Sequence, residues 1–244
     1  MKIVAFNGSP HAEKSNTHVM VDAFLAGARD AGADTENIFL ARKKINHCLG
    51  CFSCWLKSPG TCIQADDMPE LMKQFQSADV VVFATPLHND NVSGSMKDFI
   101  DRLLPLGDPH FEKDLEGEVR HVSGPKKAPR FFMIANCGFP EQSHFQVLRL
   151  LIRRMARNFS TEVAGEIYRG WGSSLQDNEL KPHVDAYKGL LRTAGMEFAK
   201  TGKLSAETAR RLEEPLIPAP NYAEIFISNA NAYMDQMIEA NRKG

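Results

Sequence analysis

Residues 78–85, Ala-Asp-Val-Val-Val-Phe-Ala-Thr, constrain the fold more than any other stretch of this chain. A β-branched and apolar run with no alternation has no polar face to offer water. It therefore reads as a strand covered on both sides, as in a parallel sheet. Parallel strands need long crossover connections, and helices are the usual ones. The rest of the chain supplies them. Ile3-Val4-Ala5-Phe6 opens the sequence as a first strand, Thr35 to Leu40 reads as a second, Arg130 to Ala135 as a fourth and Glu162 to Tyr168 as a fifth. Between them, Thr17 to Ala31 repeats apolar residues at three- and four-residue steps, which makes one helical face. Asp66 heads a helix running to about Gln76, Ser93 to Leu104 reads as another, and Gln142 to Arg157 as a third with a basic outer face of Arg149, Arg153, Arg154 and Arg157.

Strands alternating with helices predict an α/β protein with helices on both faces of a doubly wound, five-stranded parallel sheet in the order 2-1-3-4-5. This domain is expected over residues 1–174. It carries a cysteine-rich loop at 46–64 and an insertion at 107–128 that is polar, rich in Gly and Pro, and long enough to suggest a lid or mobile element. Residues 175–244 are expected to be a helical C-terminal extension, with helices near 182–201, 205–213 and 221–241 and breaks at Pro215, Pro218 and Pro220. The last helix carries an apolar set, Ile225, Phe226, Ala230, Tyr233, Met234 and Met237, able to pack on its own domain or on a partner subunit.

Composition removes several function classes. A formal net charge of −1 gives no global case for nucleic acid or an anionic membrane. No apolar run approaches the roughly 20 residues of a membrane span, and no signal-peptide pattern precedes the first strand. A cytoplasmic protein is expected, in which crowded cysteines serve metal or redox chemistry rather than structural disulfides.

In a doubly wound sheet, ligands lie outside the carboxyl ends of the strands, beside the reversal of strand order. Three polar segments converge there: Gly8 to Thr17, Pro86 to Gly94, and Asn136 to Glu141. The first, Gly-Ser-Pro-His-Ala-Glu-Lys-Ser-Asn-Thr, joins a strand to a helix N-terminus, where unpaired N–H groups and the dipole favour an anion. It matches neither the G-x-G-x-x-G nor the G-x-x-x-x-G-K-[ST] fingerprint. One phosphate loop and two segments able to flank a flat ring describe a mononucleotide site.

The second signal is Cys48-x2-Cys51-x2-Cys54-x7-Cys62, with Pro59-Gly60 letting the chain turn back. Three cysteines at these gaps can wrap one face of a cubane iron–sulfur cluster, and the fourth completes four thiolates. Zinc on four thiolates is also chemically open, although it usually shows two separated C-x2-C pairs. Plain thiols or a labile disulfide are the metal-free alternative.

Asn7-Gly8-Ser9-Pro10, Ser15-Asn16-Thr17, Thr85-Pro86-Leu87 and Gly94-Ser95-Met96-Lys97-Asp98-Phe99-Ile100-Asp101-Arg102 together resemble the flavodoxin-like NAD(P)H-dependent FMN reductases. The cysteine run resembles a branch of that group, the iron–sulfur flavoproteins. The resemblance covers about residues 1–170. It implies a flavodoxin-like fold and an FMN phosphate held by Ser9, His11, Ser15, Asn16 and Thr17. It places Pro86, Leu87, His88, Asn89, Asn91 and Gly94 around the ring and ribityl chain, with Cys137, Gly138 and Phe139 approaching from the third loop. It also implies a [4Fe–4S] cluster on Cys48, Cys51, Cys54 and Cys62. Two positions depart from the group's habit: His11 where Arg or Lys is common, and His88 where an aromatic ring is common.

The implied activity is FMN-dependent oxidoreduction, with NAD(P)H as co-substrate and electrons passed on to a quinone, a flavin or another acceptor. FMN supplies the redox chemistry, and no residue is assigned as catalytic. The alternative is an electron carrier exchanging electrons with a ferredoxin-like partner without nicotinamide turnover. A regulatory or scaffold protein that binds no flavin is a third class. A homodimer or homotetramer is expected.

Overall fold

The computed structural model describes residues 1–122, 124, 127–217 and 221–242. In chain order, β1 (Lys2–Asn7) leads through α1 (Asn16–Asp30) to β2 (Asp34–Phe39). A short α2 (Ser53–Leu56) and α3 (Met68–Ser77) precede β3 (Val80–Pro86), and α4 (Gly94–Asp101) follows it. A small hairpin, β4 (Phe111–Lys113) and β5 (Val119–His121), comes before β6 (Arg130–Asn136). Then come α5 (Gln146–Asn158), β7 (Val163–Arg169), α6 (Lys181–Thr201), α7 (Ala206–Glu213) and α8 (Tyr222–Arg242). The main sheet has the order β2-β1-β3-β6-β7 with every neighbour parallel. Setting the hairpin aside, this is the doubly wound 2-1-3-4-5 order expected from the sequence.

β3 shows why the valine run has no polar face. Val81 and Phe83 point into one core layer, while Val80, Val82 and Ala84 point into the other, and none of the five is exposed. The first layer is closed by Leu71 and Phe75 of α3, Met96 and Phe99 of α4, and Leu148 and Ile152 of α5. The second is closed by Met20, Phe24 and Ala28 of α1 together with Leu191, Ala194 and Phe198 of α6. The first helix of the C-terminal extension thus forms half of one covering layer. Two glycines let it come that close. A Cβ on Gly27 would lie 1.8 Å from the Arg192 carbonyl oxygen, and one on Gly195 would lie 1.9 Å from that of Phe24. α7 adds Leu212 to the same core. Among the described residues of α8 none is buried, and its first turns touch the body through Tyr222 and Phe226 against Trp171.

The insertion is more ordered than its composition suggests. Asp114 accepts hydrogen bonds from the N–H groups of Glu116 (3.0 Å) and Glu118 (2.9 Å), which closes the β4–β5 turn. The basic face of α5 then clamps the hairpin, with Arg157 on Asp114 at 2.6 Å and Arg154 on Glu118 at 2.9 Å. Residues 123, 125 and 126 of the insertion, the expected breaks at Pro218 and Pro220, and residues 243–244 lie outside the described residues. No described helix is long and apolar enough to cross a membrane.

Candidate functional site

The loop after β1 is built around Asn7, Ser9 and Ser15. Ser15 caps α1, accepting from the His18 N–H at 3.0 Å, while its own hydroxyl donates to the Ala12 carbonyl at 2.7 Å. Ala12 sits at φ 46, a left-handed conformation that costs a non-glycine residue roughly 1–2 kcal/mol. The first turn of α1 holds no acidic side chain, so the positive end of its dipole and the N–H groups of Asn16 and Thr17 are left for an outside partner. Glu13 is turned away to Arg42 at 2.9 Å. Asn7 is fully buried; its Oδ1 accepts the Ser9 N–H at 3.1 Å, but its Nδ2 has no partner. Buried donors are almost always satisfied, so this orphan at the mouth of the loop is what a bound acceptor would explain. Ser9, Ser15 and Thr17 are buried and His11 is exposed.

The second loop is a tight turn. His88 and Asn91 exchange backbone hydrogen bonds at 2.9 and 3.1 Å, and Asn89 and Asp90 between them have φ of 47 and 57. Positive φ at both central residues is the type I′ pattern, which Asn and Asp tolerate best after glycine. α4 begins immediately afterwards, with Ser93 as its cap. The Ser93 and Ser95 hydroxyls both donate to the Gly8 carbonyl, at 2.6 and 2.9 Å. A Cβ on Gly8 would meet Met96 Cβ at 2.7 Å, so only glycine fits where α4 lies on the first loop. A Cβ on Gly94 or on Gly138 would meet nothing within 4 Å; both backbones face open space.

The third loop joins the other two. The Leu87 N–H donates to the Asn136 carbonyl at 2.8 Å, and Asn136 Nδ2 donates to Thr17 Oγ1 at 2.8 Å. The Cys137 thiol is buried, donates to the Phe139 carbonyl, and is pushed up to about 11, chiefly by burial. Its side chain therefore belongs to the core, and what the loop offers at that position is backbone. Phe139 is exposed and stacked on His144, with ring centroids 4.3 Å apart. From beyond β7, Gln176 Nε2 donates to Asn16 Oδ1 at 2.7 Å and to the Lys14 carbonyl at 3.1 Å. All fourteen residues expected at the mononucleotide site lie on these three strand-end loops or on the strand end and helix starts that flank them (Pro86 of β3, Asn16 and Thr17 of α1, Gly94 of α4). Sequence reasoning quoted Asn7 and Ser95 in its motifs and Ser93 and Asn136 as segment ends, but assigned no site role to them or to Gln176. Ser93 carried a usable signal, because a serine directly before a helical run is a favoured cap.

The four clustered cysteines line one small pocket of about 20 Å³, together with Phe52, Asp101, Arg102 and Leu104. All are free thiols; Cys48 and Cys51 are exposed, Cys62 is half-buried and Cys54 is buried. Beside them Arg102, 1% exposed, grips Asp66 through Nη1 at 2.6 Å and Nη2 at 3.1 Å and donates to the Asn46 carbonyl at 2.8 Å, leaving its Nε unpartnered. Burial opposes ionisation of Asp66, but hydrogen bonds from Arg102, Asn46 and Met68 outweigh it and hold the carboxyl below its usual range. Among the described residues no three potential ligands stand close enough to hold a single metal ion. Four thiols beside a buried cation suit an anionic group with four thiolate ligands. The pocket they line has room for about one water as it stands.

α4 links the two places. Its N-terminal serines rest on the phosphate-type loop, and Asp101, at its other end, lines the cysteine pocket with the adjoining Arg102. Eight helical residues make this a separation of roughly 12 Å along the helix axis.

The sequence profile of the NADPH-dependent FMN reductase family matches residues 1–120. The N-terminal half of the chain is thus similar to this family. The curated relatives that the chain matches are iron–sulfur flavoproteins. One from Archaeoglobus fulgidus is 42% identical over 107 residues, 44% of this chain and 47% of its own length. One from Methanosarcina thermophila is 28% identical over 125 residues, 51% of this chain and 64% of its own length. The chain spans about half the length of the curated relatives it matches. Among solved structures, an FMN-dependent NADH-azoreductase from Bacillus anthracis, in complex with FMN, superposes with a TM-score of 0.59 at 19% identity, covering 81% of this chain and 99% of that one. An NAD(P)H:quinone oxidoreductase from Methanothermobacter marburgensis gives 0.55 at 15% identity, covering 81% and 96%. These structures share the flavodoxin-like fold. The FMN reductase-family match ends at the hairpin, so β6, β7 and the C-terminal helices fall outside it.

Proposed function

We propose that the three strand-end loops hold FMN and that the protein is an FMN-dependent oxidoreductase, drawing electrons from NAD(P)H and passing them to a quinone, a flavin or another small acceptor. The observation that carries this is the first loop, with a buried donor without a partner and a helix N-terminus without an acidic residue; Gly94 and Gly138 on the two neighbouring loops add backbone open to a ligand. Ser9, His11, Ser15, Asn16 and Thr17 would hold the phosphate. Pro86, Leu87, His88, Asn89, Asn91 and Gly94 would line the ring and ribityl chain, with Gly138, Phe139 and the Cys137 backbone on the third side. Bound there, FMN supplies hydride and single-electron chemistry. The chain's own work is to bind and orient. The type I′ turn fixes the His88–Asn91 edge, and the Leu87–Asn136 and Asn136–Thr17 hydrogen bonds hold the loops in register.

The four-thiol pocket supports a second element of the same reading, a [4Fe–4S] cluster on Cys48, Cys51, Cys54 and Cys62. It would favour one-electron exchange with a ferredoxin-like carrier, and the iron–sulfur flavoprotein relatives favour it too. The chain is proposed to act as a cytoplasmic homodimer or homotetramer. Steady-state oxidation of NADPH and NADH with a quinone acceptor tests the enzyme reading; FMN-loaded protein with no turnover of either nucleotide would make it an electron carrier instead. Iron and sulfide analysis of anaerobically purified protein tests the cluster. About four irons per chain, lost on Cys51→Ala, is the expected result.

A further inference from the structure

Beneath the hairpin lies a cavity of about 530 Å³, within the range of small-molecule sites. It is remote from the proposed flavin loops. Those sit at the carboxyl ends of the strands, whereas this cavity is lined by Ala128 and Pro129 just before β6, Phe75 and Gln76 at the end of α3, and Phe159 just after α5, all at the amino end of the sheet. It adjoins the cysteine pocket, with which it shares Asp101 and Leu104.

Two properties of its wall define a ligand. The first is a run of rings. Phe52, which lines the cysteine pocket, stacks on Trp55 (centroids 5.7 Å apart); Trp55 meets His121 at 4.9 Å, and His121 meets Phe111 at 4.6 Å. The last three line the large cavity. Trp55 is held in place by its indole N–H, which donates to the Leu104 and Gly107 carbonyls at 3.1 and 3.0 Å. Phe111 and Val119 are both largely exposed, so an apolar surface stays wet beside a ready-made aromatic slot. The second property is charge. Arg120, Lys127, Arg154 and Arg157 line the cavity against one carboxylate, Asp101. The acids that pair with these arginines, Glu112, Asp114 and Glu118, stand outside the lining.

We propose that this cavity is a binding site, separate from the flavin loops, for a planar fused-ring aromatic molecule carrying one anionic group. The ring stacks against Trp55, His121 and Phe111, and the anion faces Arg120 and Arg157. The site requires neither FMN nor a cluster, so it stands or falls apart from the proposed redox function.

The two tryptophans of the chain allow a direct test on the protein as purified, with or without FMN, because Trp55 lies in the cavity and Trp171 beside the third flavin loop. Pyrene-1-sulfonate, a fused-ring anion that is not a quinone, is titrated into Trp171→Phe protein, which reports Trp55 alone, and into Trp55→Phe protein, which reports Trp171 alone. The expected result is saturable quenching of Trp55 at one probe per chain and none of Trp171 over the same range. Calorimetry with Val122→Phe, which puts a ring into the cavity, should show affinity at least about tenfold weaker than for the native chain, with FMN content and nicotinamide oxidation unchanged. Quenching that follows Trp171, or affinity that Val122→Phe leaves unaltered, overturns the proposal.

Discussion

Arg102 and Asp66 show how one pair of side chains governs a pocket. Both are withdrawn from water, their side chains 1% and 0% exposed, and removing one partner leaves the other as an uncompensated buried charge. Arg102→Met is therefore expected to destabilise the protein by about 3–5 kcal/mol in urea unfolding. Asp66 has a depressed carboxyl in the folded state. Its contribution is complete above the unfolded value of about 4 and is lost as pH falls through the lower native value. Urea midpoints taken down an acid series should fall in that window, and Arg102→Met should shrink that fall, since only the Asn46 and Met68 N–H groups then oppose burial. The cysteines separate by environment. Hydrogen bonds at Ser53 draw the Cys51 thiol below its ordinary value, whereas burial pushes Cys54 up and Cys137 up to about 11. In iron-free protein under mildly alkaline iodoacetamide, Cys51 should alkylate first, and Cys137 on the order of 100-fold more slowly. Equal rates by peptide mass spectrometry would contradict this picture.

At the scale of elements, caps and close contacts decide the geometry of the first loop. Ser15→Ala removes the α1 cap and should cost about 1 kcal/mol, with a matching loss of FMN affinity in equilibrium titration. Gly8→Val drives its side chain into Met96 Cβ and Ser93 Oγ and should damage FMN binding more than Ser15→Ala does. Much at this scale was legible in the sequence, because strands and long helices announce themselves by period. The strand expected at 130–135 is β6 at Arg130–Asn136, and that at 162–168 is β7 at Val163–Arg169. Helix ends shifted where single turns tightened: the helix expected over 142–157 is a 3-10 turn at Gln142–Phe145 followed by α5. The hairpin was not legible. Its strands are three residues each, and Phe111 and Val119 are exposed, so neither length nor alternation marks them. What orders it is ionic contact with α5, some 40 residues away in sequence, and local pattern carries no trace of such a contact.

For the whole molecule, α1 and α6 bind the N-terminal half to the extension. Glycines inside helices read as weak points, yet Gly27 and Gly195 are where the two backbones come closest. Gly195→Leu should prevent that approach, expose Phe198 and Leu191, and lower the thermal midpoint far more than a substitution at exposed Gly189, whose Cβ would meet nothing within 4 Å. The same distance in sequence hid the Asn136–Thr17 and Gln176–Asn16 ties, which hold the flavin loops across 119 and 160 residues. The loops themselves were legible because a doubly wound sheet brings its strand ends together whatever lies between. The claim on which everything else turns is that these loops hold FMN in a form that NAD(P)H can reduce. Anaerobic mixing of FMN-loaded protein with NADPH or NADH, followed through the visible flavin band, tests it most directly. One FMN per chain is expected, with complete bleaching of the band by a stoichiometric amount of at least one of the two nucleotides. Protein that takes up no FMN, or bound FMN whose band neither nucleotide changes, would contradict it.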